Sequence, residues 1–312
     1  MNFARNMFLY AAALVLAAGC SARAAEAVTI GFAQVGSESE WRNKFSESMK
    51  REARERGIDL VFADANNVPE SQVAAVRSFI DRRVDAIIIA PVVVNGWDEV
   101  LKSAKAAKIP VFIADRAVDS DPSLYVTRIA ANFNLEGKLA GAWLAQASRG
   151  QCQIVELQGT PGSAAALERK RGFASVISLF PGLKITSSHD GDFLKQRGRQ
   201  IVEQLIGSPR GLKDVCGIFA HNDDMMLGAI EAMKEKGLQP GKDLLTISVD
   251  AQSEALAAVR SGDLDASVEL KSDIGANIYD VVLGYLDGRT DYPKWVVIPS
   301  DLITSANVDR HK

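Results

Sequence analysis

The feature that most constrains the fold of this chain is a regular alternation of short apolar runs and longer segments with helical spacing, which begins at residue 28 and continues almost to the end. The run 86–90 contains three consecutive isoleucines, which is typical of a central strand covered on both faces. The helical segment 41–56 is followed by Gly57, a common helix-ending residue. Alternation of this kind predicts βαβ units and parallel sheets.

The pattern divides into two similar sets of elements, which predicts an α/β fold of two Rossmann-like lobes. The predicted strands are 28–33, 58–63, 86–90, 111–114 and 125–130 in the first set, 153–157, 183–188, 215–220, 244–249 and 266–270 in the second, and finally 295–298. The predicted helices are 41–56, 70–82, 97–107, 135–148, 164–179, 196–206, 225–236, 253–261 and 274–286. We expect residues 26–131 plus 271–296 to form the N-terminal lobe and 132–270 plus 297–312 the C-terminal lobe. Several crossings between the lobes would make a hinge.

Polar side chains stand at the carboxyl ends of several predicted strands. Asp115 and Arg116 follow 111–114, the segment 221–224 with Asn222 follows 215–220, and Asp250 follows 244–249. In an open parallel sheet these ends meet at one edge, and ligands bind in the crevice outside it. The sequence therefore predicts that these residues converge on a single cleft.

The first 25 residues have the pattern of a secretory signal segment. Arg5 precedes an apolar stretch that is too short to span a bilayer, and small residues follow it. Cleavage near residue 25 would release a free periplasmic protein, whereas a lipoprotein-like motif ending at Cys20 would give a lipid-anchored one. The formal net charge of −3 and the absence of basic runs argue against nucleic acid or an anionic membrane as partner.

Two cysteines remain after the signal segment. Cys152 and Cys216 each stand at the start of a predicted strand of the second lobe. If these strands are neighbours, the cysteines meet at the edge opposite the cleft, and an oxidising compartment permits a disulfide. Two buried free thiols are the alternative.

Segments spread over nearly the whole mature chain resemble one known family. They are 114–116, 131–132, 169–173, 191–193, 220–224, 249–250 and 267–270, and they occur in the family's order. The family is that of the periplasmic sugar-binding proteins that serve ABC importers, of the type that binds ribose, galactose and related sugars. Segments 31–42 and 89–93 look most like its galactofuranose-binding members. The resemblance implies a type I periplasmic binding protein, a monomer that delivers a monosaccharide, here galactofuranose, to a membrane ABC permease.

The resemblance also implies a set of ligand-binding residues. On the first lobe these are Ser37, Glu38, Trp41, Arg42, Asp115, Arg116 and Asn132, and on the second lobe Arg169, Phe193, Asn222, Asp250 and, near the hinge, Glu269. The chemistry agrees, since sugar hydroxyls both donate and accept hydrogen bonds, and the apolar face of a sugar ring suits an aromatic side chain.

Other interpretations remain open at this stage. Asp115 and Asp250 could be helix caps, or the paired carboxylates of a glycosidase. A sugar-responsive regulator would need a DNA-binding segment where the signal segment stands. A sensor that presents its ligand to a membrane receptor would share the whole fold. Dinucleotide and phosphate-loop motifs are missing, and three histidines without metal-ligand spacing indicate no metal site. We expect no cofactor and no enzymatic activity.

Overall fold

The computed structural model describes residues 27–209 and 211–311. The expected signal segment, including Cys20, lies outside the described residues. Within them the chain forms two six-stranded sheets, which confirms the predicted α/β fold class. In the same residues, no helix combines the length and the apolar character that a membrane crossing requires.

The first sheet is entirely parallel, in the order β11-β5-β4-β3-β1-β2. Its strands are β1 (Thr29–Gln34), β2 (Asp59–Asp64), β3 (Ala86–Ile89), β4 (Val111–Ala114), β5 (Arg128–Ala131) and β11 (Trp295–Ile298). The predicted central strand is confirmed, since every residue of β3 is buried. Helices cover both faces of this sheet: α1 (Glu40–Glu55), α2 (Pro69–Asp81), α3 (Asp98–Ala106) and α9 (Gly275–Leu286).

The second sheet has the order β12-β10-β9-β8-β6-β7 and is parallel except at one edge. Its strands are β6 (Gln151–Gln158), β7 (Gly182–Asp190), β8 (Gly217–Ala220), β9 (Leu245–Asp250), β10 (Ala266–Glu269) and β12 (Leu302–Thr304). Its helices are α4 (Phe133–Ala147), α5 (Ala164–Ile177), α6 (Lys195–Gly207), α7 (Asp223–Glu235) and α8 (Ser253–Ser261). The antiparallel β12 was not predicted, because three residues are too few to show a strand pattern.

The chain passes between the sheets at three places in the described residues. It leaves the first sheet after β5 and enters α4, returns between β10 and α9, and crosses again between β11 and β12. We refer to residues 299–301 as the third crossover. Because β11 pairs with β5 along its whole length, residues up to and including Ile298 belong to the first sheet.

Cys152 and Cys216 are joined by a disulfide with a Cα–Cα distance of 5.4 Å. Strands β6 and β8 are neighbours, and both cysteines lie at their amino ends, opposite the edge that carries the polar strand ends. The predicted disulfide is confirmed, and the free-thiol alternative is wrong.

The fifth strand is shorter than predicted. It begins at Arg128 rather than residue 125, because the chain first makes a 3-10 turn over Pro122–Leu124. The ammonium group of Lys294 donates to the carbonyl oxygens of Pro122 and Tyr125, at 2.7 and 2.9 Å. These carbonyl oxygens accept from a side chain rather than from a neighbouring strand, so the strand starts later. The apolar character of the segment does not reveal this contact.

Candidate functional site

A small cavity lies between the carboxyl ends of the two sheets. Its lining residues are Glu38, Ser39, Trp41, Arg42, Asp115, Arg116, Ala165, Arg169, Phe193, Asn222, Asp250 and Leu270. They come from loops, helices and a strand end of both lobes, so the cavity lies between the lobes at the edge that the strand-end pattern predicted.

The wall on the first-lobe side is a network of four charged side chains, which we call the first wall: Glu38, Arg42, Asp115 and Arg116. Arg42 donates to Asp115 Oδ2 at 2.9 Å and to Glu38 Oε1 at 3.4 Å. Arg116 lies 3.4 Å from the same Glu38 oxygen. Burial alone would raise the pKa of Glu38, but the charges of Arg42 and Arg116 outweigh it and lower that pKa.

Local structure fixes the position of this wall. The side chain of Ser39 caps helix α1 by accepting from the backbone N–H of Arg42, which places Arg42 in the first turn beside Glu38. Asp115 directly follows β4 and has a positive φ of 58°, in the left-handed region that few non-glycine residues adopt. Arg116 then donates to the carbonyl of Val92 at 3.1 Å.

The opposite side, which we call the second wall, comprises Arg169 and Asp250, which line the cavity, and Glu136, which lies behind Arg169. Arg169 Nε donates to Glu136 Oε2 at 2.9 Å, and Arg169 Nη2 lies 3.6 Å from Asp250 Oδ1, beyond hydrogen-bond distance. Burial raises the pKa of Asp250 well above its usual value, although the charge of Arg169 opposes this. Asp250 also has an unusual φ of 119° at the end of β9.

Asn222 joins the second wall as the cap of helix α7. Its Oδ1 accepts from the backbone N–H of Met225 at 3.1 Å, and its Nδ2 donates to the carbonyl of Phe193 at 3.1 Å. The side chain therefore holds the loop that carries Phe193 as well as the helix start.

Two aromatic side chains complete the cavity. Trp41, only 3% exposed, donates from Nε1 to the carbonyl of Leu270 at 2.7 Å. The guanidinium of Arg116 lies 5.3 Å from the ring centre of Phe193, across the cleft. Any side chain at Gly159 would overlap the Phe193 ring, so glycine is required there.

Three buried polar atoms on residues that line this cavity have no hydrogen-bond partner within the described residues. They are Glu38 Oε2, Arg116 Nε and Arg169 Nη2. Leaving a buried polar group without a partner costs about 1–3 kcal/mol, and more for a charged group. One acceptor and two donors are therefore available to a ligand that carries both kinds of group.

Most of the residues implied by the family resemblance meet in this cavity. Three do not line it. Ser37 is exposed, Asn132 caps helix α4 by accepting from Leu135 N–H, and Glu269 lies near Lys271 and His311 on the hinge side. The structure adds Ser39, Ala165 and Leu270 to the lining.

Glu136 and Gly159 were not predicted. Glu136 lies inside a helix with no distinguishing pattern, and its contact with Arg169 is made across 33 positions of sequence. No group of three His, Cys, Asp or Glu side chains in the described part of the chain is arranged to hold a metal ion.

Comparison with known proteins identifies the class to which this architecture belongs. Residues 30–290 match the periplasmic binding protein domain family, and this chain belongs to that family. The resemblance drawn from the sequence is thereby confirmed.

Three relatives illustrate how close the similarity is. The galactofuranose-binding protein YtfQ of Escherichia coli K12 is 46% identical over 290 residues, which cover 92% of this chain and 91% of that protein. The arabinose transporter's binding protein from Shewanella sp. ANA-3, bound to α- and β-L-arabinofuranose, has a TM-score of 0.87 at 47% identity, covering 90% of this chain and 93% of that one. A Mycobacterium smegmatis protein in complex with β-D-fucofuranose has a TM-score of 0.87 at 42% identity. The match covers 91% of this chain and 93% of that one.

Proposed function

We propose that this chain captures a monosaccharide in its furanose ring form, galactofuranose, and delivers it to a membrane ABC permease. It works in the periplasm as a free protein after removal of residues 1–25. The sugar is bound and released without covalent change. The twelve residues implied by the sequence are the proposed contacts, and the nine that line the cavity are the core of that set.

The observation that carries this proposal is that three lining residues have a buried polar atom with no partner in the described part of the chain, Glu38 Oε2, Arg116 Nε and Arg169 Nη2. A sugar hydroxyl can accept from an arginine while it donates to a carboxylate. Hydrogen bonds to charged groups contribute about 1.5–3 kcal/mol each. Trp41 and Phe193 offer flat surfaces for the apolar faces of the ring.

The relatives support the furanose ring in particular. Their named sugars are galactofuranose, L-arabinofuranose and D-fucofuranose. L-Arabinose has the configuration of D-galactose without C6, and D-fucose is D-galactose without the C6 hydroxyl. The three sugars therefore share a five-membered ring of one configuration and differ only in the tail outside it. A site that recognises this ring would explain all three.

Hinge closure is the proposed mechanism of capture. Contacts between the lobes flank the cavity: the backbone N–H of Val94 donates to the carbonyl of Gly162 at 3.1 Å, and Lys44 donates to Ser253 at 3.0 Å. A sugar that bridges both walls binds this closed arrangement better than an open one, so it shifts the population toward closure. The permease would then recognise the closed form.

The ring form can be tested directly with galactose labelled at C1, because the anomeric carbon resonates in separate regions for furanose and pyranose rings. We expect protein freed of bound sugar to select the furanose signals and to return the sugar unchanged. Small-angle scattering should show compaction on binding. Selection of pyranose galactose would contradict the furanose assignment, and consumption of the sugar would support a glycosidase instead.

A further inference from the structure

The guanidinium of Arg169 is held on two sides by buried groups that do not line the cavity. Its Nε donates to Glu136 and its Nη1 to the carbonyl of His221. Glu136 and His221 have no exposed surface. Among the residues that the structure describes, Nη2 alone of its three nitrogens finds no hydrogen-bond partner, and it lies 3.6 Å from Oδ1 of Asp250, a lining residue. The two bonds therefore fix which edge of the arginine faces a ligand.

Glu136 also contacts the hinge. Its second carboxylate oxygen, Oε1, accepts from the hydroxyl of Ser300 at 3.1 Å. Ser300 lies in the third crossover, between a strand of the first sheet and a strand of the second. One buried carboxylate thus bonds a cavity arginine with one oxygen and a crossover residue with the other.

The helix that carries Glu136 is itself fixed to the first crossover. The ring centre of Phe133, the first residue of α4, lies 5.2 Å from the guanidinium of Arg169. It lies 5.5 Å from the guanidinium of Arg128, on β5. Helices α4 and α5 also touch backbone to backbone, since a Cβ at Gly137 would overlap the carbonyl of Arg169. A shift of α4 relative to the first sheet would therefore be transmitted to Arg169.

We propose that Glu136 is a positioning residue that orients Arg169 for the ligand and, through Ser300, makes that orientation depend on the state of the hinge. The proposal rests on the proposed function, in which Arg169 contacts the sugar. An arginine side chain has several rotatable bonds, and fixing it before the ligand arrives removes an entropic cost of binding. When the third crossover bends, the bond from Ser300 to Glu136 changes, and Arg169 loses part of its support.

A double-mutant cycle tests whether Glu136 and Ser300 act through Arg169. Glu136→Gln keeps the shape and a hydrogen-bonding oxygen but removes the charge, and we expect it to weaken sugar affinity by about tenfold or more, with Ser300→Ala weakening it by about three- to tenfold. In an Arg169→Met background, which fills the same space, both substitutions should leave the residual affinity unchanged. Glu99→Gln, on an exposed face of α3, is the matched control and should bind like the unmodified protein.

Equal losses in both backgrounds would overturn the proposal, because they would show that Glu136 or Ser300 acts on general stability rather than through Arg169. Unchanged affinity in Glu136→Gln would overturn it as well.

A second readout needs no sugar and so separates this proposal from the proposed function. The Nε–H resonance of Arg169, assigned by its loss in Arg169→Met, should move in both Glu136→Gln and Ser300→Ala and stay in place in Glu99→Gln. A resonance that does not respond to Ser300→Ala would show that the hinge is not coupled to Arg169, whichever ligand the protein binds. If the resonance responds but no sugar binds, the positioning role stands and the ligand assignment fails.

Discussion

The two walls of the cavity differ in how their charges are balanced. The first wall pairs two arginines with two carboxylates, and each of its four members contacts another within 3.4 Å. The second wall sets one arginine between two carboxylates, Glu136 and Asp250. Burial raises the pKa of Glu136 and of Asp250, although Arg169 opposes it in each case. The first wall has as many carboxyl groups as arginines, whereas the second has one carboxyl group more than it has arginines.

This difference indicates separate tasks for the two walls. An internally bonded wall is organised before the ligand arrives and loses little freedom on binding. In the second wall Arg169 Nη2 and Asp250 Oδ1 lie 3.6 Å apart, beyond hydrogen-bond distance, so a sugar hydroxyl can accept from the arginine and donate to the carboxyl group. We infer that contacts with the second wall contribute more of the free energy of sugar binding than contacts with the first wall. The following predictions test that inference.

The largest effect is expected from removing a side chain of the second wall. Arg169→Ala and Asp250→Ala each leave buried groups without partners in a closed cavity, which typically costs about 2–5 kcal/mol. Affinity should therefore fall by about 30-fold to several thousandfold, measured by calorimetry.

Lys102→Ala, on the exposed face of α3, is the control and should leave affinity unchanged. If Arg169→Ala and Asp250→Ala both bound the sugar normally, the assignment of the site would be refuted.

The disulfide should stabilise the second lobe without affecting either wall. Closing a loop of 64 positions constrains the unfolded chain by about 4 kcal/mol at 25 °C. A Cys152→Ala/Cys216→Ala variant should therefore unfold at lower denaturant concentration while its sugar affinity changes less than twofold. A large loss of affinity at unchanged stability would show that the far edge of the sheet influences the cavity.

Neutralising one carboxylate in each wall compares the walls directly. Glu38→Gln leaves two buried arginines with Asp115 alone and should destabilise the sugar-free protein by about 1–3 kcal/mol. Asp250→Asn replaces a carboxyl group whose charged form burial disfavours, so the sugar-free protein should be equally or more stable. Denaturant unfolding measures both, and equal destabilisation by the two substitutions would show that the walls are balanced alike.

The sequence predicted the fold and much of the site for different physical reasons. Asp115, Asn222 and Asp250 could be found because parallel strands all end at one edge, so a local pattern carries three-dimensional information. Arg169 was found only by family resemblance, since it stands in a charged run on a helix. Glu136 was missed because its role comes from packing between two helices and a distant crossover.

Strand β12 shows the same limit. Residues 302–304 form a strand because β10 presents an open edge to them, with Val268 paired to Leu302. A run of three residues contains no pattern from which this pairing could be predicted. Local patterns therefore predict where elements and strand ends lie, whereas the groups that support a binding residue depend on tertiary packing.

The smallest predicted effect is a proton taken up on closure, at Asp224 on the second lobe. Burial raises the pKa of Asp224 to about 6, Glu40 and Glu254 add to this by repulsion, and the backbone N–H of Glu40 and the charge of Lys195 oppose it. Glu40 belongs to the first lobe, so opening the cleft would expose Asp224 and return its pKa toward the ordinary value of 3.8.

A pKa that is higher in the closed form means that closure binds a proton. Affinity should therefore rise as pH falls below about 6 and level off near the ordinary value, by a few-fold in total, because the group is only partly buried. Calorimetry at pH 5.5 in buffers of different ionisation enthalpy should detect proton uptake, and Asp224→Asn should reduce it by a fraction of a proton. Proton release on binding, or uptake that Asp224→Asn leaves unchanged, would show that Asp224 does not titrate on closure.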